Sequence, residues 1–535
     1  MFKYCFVFLA FLGAVRIFLV IISNDPYSIS KYFMADDSFY YFQIARNIAS
    51  GIGSTFDGNN LTNGYHPLWL IITSLIFLLS NNSDIALLTI FSLQWFLVII
   101  SAIILFFCLS KIEKISAFIT TILFLSGNYT YAILFNGMES TLSFFLISLV
   151  FCIALKKREN YYRIDTNKYL LILIMILTCQ FLCRLEVWIF VTLWIIMAFI
   201  SYYLFFKNKN KLLLMRLFML TFTLITISLI YIFINYKVFG LPFPISAYIK
   251  VTDHFTSDIM HTFKKHIYAY CGLLSTPFLN KKISIYPFFI TLLLLVSTCL
   301  QIKSIKNIKL NYNNILSILS LLPFLLFILI FLCLAVWISS GHWNWYLWPT
   351  LFAGFLSTFL LIKKIIVYFY ERYYYFIIIL LLIFIAFGYY SVFKNKNLAD
   401  WAPKKGMVMD YTIKYIKEQI PRDERIIAFS CGIFTFFTNR EIENFEGLVN
   451  SYHYYMSKKS IKNFRIYFKK KNIKWIIFHT YNKNNYELKM NEICKIGAII
   501  KENNIDDFYN LNLKKIHKEL SDPNVYFVKI KVCTK

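Results

Sequence analysis

The stretch MADDSFYYFQIARNIASGIGSTFDGNNLTNGYHPLW, Met34 to Trp69, is a polar loop set between apolar runs. Asp36 and Asp37 stand together ahead of a helical pattern. Tyr40, Ile44 and Ile48 recur at i, i+4 and i+8, and Tyr41 with Ala45 widens the same face. This spacing predicts an amphipathic helix over 37–49 lying along a membrane surface. Gly51 ends it, Asp57-Gly58 marks a turn, and Gly64-Tyr65-His66-Pro67 leads into a short apolar run. That run, 67–80, falls short of the ~20 residues a crossing needs. It is expected as a half-membrane or interfacial helix.

Outward from this loop the chain is dominated by apolar segments. Hydrophobic residues make up 59% of 535, and charged residues only 16%. These proportions exclude a soluble globule, a disordered chain and a collagen-like fibre, and leave a polytopic membrane protein. Spans are predicted near 4–23, 85–110, 115–128, 138–155, 169–183, 187–206, 217–236, 284–301, 314–337, 346–362 and 374–392, about eleven in all. The first is read as a retained helix, because no small-x-small cleavage site follows it. The 55 Lys+Arg exceed the 28 Asp+Glu, and many of the basic residues gather in loops near 111–114, 156–168, 207–216, 303–309 and 363–372. By the positive-inside rule these loops and the N-terminus are cytoplasmic. Nucleic acid is not expected as a partner, since no basic stripe is interleaved with stacking aromatics.

The expected architecture is therefore a mainly α-helical membrane domain, 1–393, whose first outer loop is 24–66. A C-terminal α/β domain, 394–535, follows outside the membrane. In that tail, 407–420 reads as an amphipathic helix ended by Pro421. Strands are expected at 425–430, 475–480 and 525–532, with helices near 452–470. The 11 cysteines are scattered, with no CxxC pair, and fix no disulfide or metal framework.

Five stretches on the predicted outer face carry chemistry. In the first loop, one of Asp36 and Asp37 is explained as a helix N-cap. The other is a candidate general base or metal ligand. Asn136-Gly137-Met138-Glu139 opens a span. Arg184-Leu185-Glu186 lies between two spans, where ionisable residues are functional candidates by default. Phe239-Gly240-Leu241-Pro242-Phe243-Pro244 is followed by Tyr248 and Lys250, and a lysine there suits a phosphate as a compact point charge. Gly341-His342-Trp343-Asn344-Trp345-Tyr346 is read as an aromatic belt that also holds His342.

The order of these motifs resembles the polytopic glycosyltransferases of the GT-C superfamily, in particular bacterial members. The resemblance rests on DDSFYYFQIARNIASG, TFDG and TNGYHPLW in the first loop, then NGMES at 136–140 and LCRLE at 182–186. It continues through FGLPFPISAYIK at 239–250, HWNWYLWP at 342–349 and GIFTFFTNREIENFEGLVNS at 432–451. Two departures stand out: RLE at 184–186 replaces an Arg-Pro-Glu pattern, and the turn before Tyr346 lacks an arginine. The resemblance implies a polyprenyl-phosphate-linked sugar as donor and a glycan, lipid or protein of the cell surface as acceptor. It places the reaction on the outer face of the bacterial inner membrane. It also implies Asp36 or Asp37 as catalytic base, with inversion at the anomeric centre. Arg184, Lys250, Glu139, Glu186, His66, Tyr40 and His342 are the expected donor-binding residues. A divalent cation, Mg²⁺ or Mn²⁺, held by the adjacent Asp pair is a further possibility, although such ions normally take several oxygen ligands. The competing readings are a transporter or flippase for lipid-linked sugars, which usually shows an internal repeat, and a glycan polymerase or ligase.

Overall fold

The computed structural model describes residues 25–80, 82–155, 167–185, 211–250, 259–271, 346–366, 402–480, 508–512 and 524–529, with short stretches between 192–199 and 273–296. The helices in chain order are α1 (Pro26–Phe33), α2 (Asp36–Ala49), α3 (Pro67–Leu79), α4 (Ser83–Leu109), α5 (Lys114–Ser126), α6 (Asn128–Leu134), α7 (Ser140–Leu155), α8 (Asn167–Cys183), α9 (Lys211–Phe239), α10 (Ile245–Lys250) and α11 (Ile259–Tyr270). After them comes α12 (Trp348–Ile366). The tail adds α13 (Ala402–Glu418), β1 (Arg425–Ala428), α14 (Gly432–Thr438), β2 (Ile442–Asn444), α15 (Tyr452–Lys458), α16 (Ile461–Lys471), β3 (Ile473–Thr480), β4 (Phe508–Asn512) and β5 (Asn524–Lys529).

The contacts divide the chain into two compact units. The first comprises Met1–Asp25, Leu88–Ile230 and Val251–Leu398. Its core is aromatic: Phe124 stacks on Phe144 at 5.1 Å and meets Phe355 edge-on at 5.5 Å, while Phe352 meets Phe144 and Phe151 edge-on. Helices α11 and α12 approach closely because Gly354 has no side chain. A Cβ there would lie 2.0 Å from the carbonyl oxygen of Tyr270. Two polar rungs flank that contact, His266 Nδ1 with Thr350 Oγ1 at 2.7 Å and the Tyr270 hydroxyl with Ser357 Oγ at 2.6 Å.

The second unit comprises Pro26–Leu87, Tyr231–Lys250 and Ala399–Lys535. The tail therefore shares one contact unit with the first loop. Its five-stranded sheet has the order β2-β1-β3-β5-β4. Strand β1 pairs in parallel with β2 and β3, and β5 pairs antiparallel with β3 and β4. The parallel pairs are joined through α14 and through α15–α16, as parallel strands need a crossover. Helix α2 packs on α3 and on α14, and α13 packs on α1.

Among the described residues, three helices are long and apolar enough to cross a membrane: Ser83–Leu109, Leu214–Phe239 and Trp348–Ile366. They match the spans expected at 85–110, 217–236 and 346–362. The segments expected at 115–128, 138–155 and 169–183 are helices of 13, 16 and 17 residues. The spans expected at 4–23, 187–206, 284–301, 314–337 and 374–392 lie wholly or largely outside the described residues. Helix α9 leaves large apolar side chains uncovered, with Phe222 73% exposed and Leu229 60% exposed. Such a face suits hydrocarbon and not water. Helix α3 forms as expected, and its 13 residues reach only about 20 Å at 1.5 Å each, well short of a ~30 Å hydrocarbon core.

Candidate functional site

In the second unit the site is built from the start of α2. The N-cap position is Ala35, which offers no side-chain acceptor, and Asp36 and Asp37 are the first two residues inside the helix. The expectation that one aspartate caps its own helix is therefore corrected. Ser38 satisfies the entry locally, donating its N–H and Oγ to the Ala35 carbonyl at 3.1 and 2.6 Å.

Asp36 caps a different helix. Its Oδ2 accepts the Gly432 N–H at 3.1 Å and its Oδ1 accepts the Ile433 N–H at 3.0 Å. Those are first-turn donors of α14, whose own N-cap, Cys431, supplies no side-chain acceptor. First-turn N–H groups have no partner within their helix and must find one outside it.

Asp37 faces another way. Its Oδ2 lies 3.7 Å from Lys250 Nζ, and each side chain is 22% exposed. The pair is thus within reach of water and of a ligand. Lys250 is delivered by the segment that leaves α9. Gly240 takes a left-handed backbone, φ +77°, and a Cβ there would crowd the Tyr452 ring at 3.2 Å. Asn63 then fixes the approach. Its Nδ2 donates to Asn235 Oδ1 at 3.0 Å and to the Phe243 carbonyl at 3.1 Å, while its Oδ1 accepts the Ile245 N–H at 3.0 Å and so caps α10. Residue 64 must be glycine for a separate reason, since a Cβ would stand 2.0 Å from the Leu448 carbonyl oxygen.

The other first-loop candidates take distinct places. Tyr40 is buried, and its hydroxyl accepts from Asn444 Nδ2 at 3.1 Å. Burial raises its phenol well above the ordinary range, with Glu446 and Asp36 adding to the effect. Burial likewise raises the Cys431 thiol, and Asp36 and Glu446 add to it. The Arg46 guanidinium sits 4.4 Å from the Phe436 ring, and burial pushes its pKa down to about 10. His66 occupies the N-cap position of α3, and its backbone N–H donates to the Tyr41 hydroxyl at 3.0 Å.

The first unit holds a second cluster. Arg184 Nη1 and Glu139 Oε1 are 3.1 Å apart, and both side chains are 1% exposed. The Arg184 guanidinium also lies over the Tyr346 ring at 4.8 Å. The turn that presents Glu139 is held by Gln94, which donates to the Met138 carbonyl at 2.6 Å and accepts the Gly137 N–H at 3.1 Å. Gly137 takes φ +84° there. Gln180, one turn before Arg184, is fully buried, and neither polar atom of its amide has a hydrogen-bond partner among the described residues. A buried amide in that state needs a polar partner. Sequence reading missed Gln180, Asn63 and Asn444. For Gln180 and Asn63 the available signal was a polar amide inside or beside an apolar run, whereas Asn444 stands in the charged stretch REIENFEG. Glu186 and His342 lie outside the described residues.

The donor set does not fit a cation shared by Asp36 and Asp37. Both oxygens of Asp36 are taken by amides, Asp37 stands beside an ammonium, and no group of three or more His, Cys, Asp or Glu among the described residues could hold a metal.

No protein-family model matches the chain, and no curated protein matches it. Among solved structures it is similar to ArnT from Cupriavidus metallidurans bound to undecaprenyl phosphate, with a TM-score of 0.55, 9% identity and 98% of each chain covered. ArnT of the same organism in the apo state gives a TM-score of 0.44 at 9% identity, with 96% of each chain covered. The first likeness shows a shared fold along nearly the whole chain.

Proposed function

We propose that this protein is a membrane glycosyltransferase. It moves a sugar from a polyprenyl-phosphate donor to a cell-surface acceptor on the outer face of the bacterial inner membrane. The observation that carries the reading is the Asp37–Lys250 pair at 3.7 Å, partly open to solvent. Two stretches far apart in the chain, each singled out by its residues, meet there. The ArnT fold supports the same reading, and the ArnT structure with undecaprenyl phosphate bound supports a lipid phosphate as the leaving group.

In this reading Asp37 is the general base. The acceptor hydroxyl oxygen attacks the anomeric carbon from the side opposite the phosphate, and its proton passes to Asp37. The bond between the anomeric carbon and the phosphate oxygen breaks, and polyprenyl phosphate departs as a stable anion. One displacement inverts the centre, so a single carboxylate suffices, unlike the paired carboxylates of retaining glycosidases. Lys250 orients Asp37 and offers positive charge toward the departing phosphate, the kind of electrostatic help that matters when charge develops on a leaving group. Arg184, paired with Glu139 in the first unit, stays a phosphate candidate on the resemblance alone, since a guanidinium can grip two oxygens at once. His66, Glu186 and His342 are proposed as donor-binding residues from the family resemblance alone.

The test uses purified protein with radiolabelled polyprenyl-phosphate hexoses and pentoses and an envelope extract as acceptor. Asp37→Asn should lower turnover about 10²–10⁴-fold, the usual worth of a positioned base. Normal transfer by that variant sinks the assignment. Movement of lipid-linked sugar across vesicles by a wild type that transfers nothing favours the transporter reading.

A further inference from the structure

The C-terminal tail reaches into the first loop at the residue next to the proposed base. Asp36 gives both carboxylate oxygens to the Gly432 and Ile433 amides of α14. Residue 432 has no room for a side chain there, because a Cβ would stand 2.3 Å from the Asp36 carbonyl oxygen and 3.1 Å from Phe39 Cβ. Below this contact Phe436 packs against Phe39, Phe42 and Phe77 at centroid distances of 5.5, 6.5 and 6.0 Å. Beside it, Asn444 donates to the Tyr40 hydroxyl at 3.1 Å and to Glu446 Oε2 at 2.9 Å, while its own carbonyl takes the Gly447 and Leu448 amides. Tail and α2 thus meet through a buried aromatic face and a polar latch, and the latch closes on Asp36.

We infer that Asp36 is a positioning residue and that α14 is a clamp which sets the angle of Asp37 through the 36–37 peptide. This inference rests on the reading of Asp37 as the base. Asp36 and Asp37 flank one peptide at the first turn of α2, so the contacts that fix Asp36 and its carbonyl restrain the backbone that carries Asp37. Misplacement of a reacting group by about 1 Å can cost on the order of 10²-fold in rate. The clamp also assigns the tail a part in the chemical step that is independent of which acceptor is used. It explains the adjacent aspartates without a shared metal: one is fixed so that the other is aimed.

The experiment compares full-length wild type, Asp36→Asn, Gly432→Ala and Asp37→Asn, each with the same panel of radiolabelled polyprenyl-phosphate sugars. Unfolding temperature is measured alongside. Asp36→Asn and Gly432→Ala should each lower kcat about tenfold while the donor KM stays within about twofold, with the unfolding transition retained. Loss of packing alone would not split kcat from KM in that way. Full kcat in Gly432→Ala, with Asp37→Asn inactive, overturns the clamp and leaves the base assignment standing. Loss to background in Asp36→Asn, equal to that of Asp37→Asn, overturns it by making Asp36 part of the chemistry itself. Wild-type turnover by Asp37→Asn removes the base assignment and the clamp with it. If Gly432→Ala does not fold, Asp36→Asn decides alone, since it changes no volume, and an unchanged kcat in it ends the proposal.

Discussion

Lys250 and Arg184 are both cations beside a carboxylate, yet their surroundings give them different weights. The Asp37–Lys250 pair is partly exposed, so its net worth to stability is small. In the proposed mechanism its value lies in orientation and in charge available to a ligand. The Arg184–Glu139 pair is almost wholly buried. Removing one partner there leaves an uncompensated charge, which costs about 3–5 kcal/mol, whereas replacing both with apolar residues is often neutral. Glu139→Ala should therefore destabilise by about that amount in chemical denaturation. The double variant Glu139→Met/Arg184→Met should recover most of the loss yet still fail to transfer sugar. Transfer restored with stability would show that Arg184 serves only packing. A third carboxylate gives a pH test. Burial and nearby Asp57 hold Glu443 above the usual carboxylate range, while the Tyr467 hydroxyl, which donates to it at 2.7 Å, pulls the other way. A raised folded-state pKa means that the folded chain binds the proton more tightly than the unfolded one. Stability is then full in acid and falls as pH rises through the folded value. Glu443→Gln should raise the unfolding temperature more at pH 7 than at pH 4, and equal shifts at both would refute the linkage.

At the scale of elements, local signals predicted well and partnerships did not. Helix α2 appears at Asp36–Ala49 against an expected 37–49, and α3 at Pro67–Leu79 against 67–80. Three of the tail's strands, β1, β3 and β5, fall where β-branched and aromatic runs predicted them. Strand β2 was missed because Ile442–Asn444 is only three residues, IEN, and short strands carry almost no period of their own. The cap of α14 could not be read at all, because its acceptor lies almost 400 residues away in the chain. The same holds for Asn63, whose NGY context signals a turn but not the α10 segment it holds. Asn63→Ala should remove three hydrogen bonds, each worth about 1 kcal/mol. The expected loss is about 2–3 kcal/mol, with a raised donor KM because Lys250 is no longer held in place. Unchanged KM with lowered stability would separate α10 from the site.

At the scale of the whole molecule, the fold is shared with ArnT at 9% identity. Within this chain the fold is an order of apolar helices with polar loops between them. That order was legible here because a bilayer forces it: a crossing must satisfy its own backbone and face lipid with apolar side chains. The bilayer says little about which helices touch, and an apolar run looks the same whether it faces lipid or protein. Helix α9 illustrates this. Its sequence is apolar on every side, yet Phe222 and Phe233 are exposed at 73% and 61% while Leu220 and Leu224 are buried at 0% and 3%. One face is thus built for lipid and one for protein, and a charge on each should fail differently. Phe222→Asp places a carboxylate against hydrocarbon, at a cost of about 2.5–3.5 kcal/mol near the centre of a span. It should lower the fraction of full-length chains that resist alkaline extraction from membranes. Leu220→Asp should leave that fraction closer to wild type, because neighbouring helices shield the position, but should lower the unfolding temperature of the chains that do insert. Equal extraction of the two variants would mean that α9 does not present this face to the bilayer.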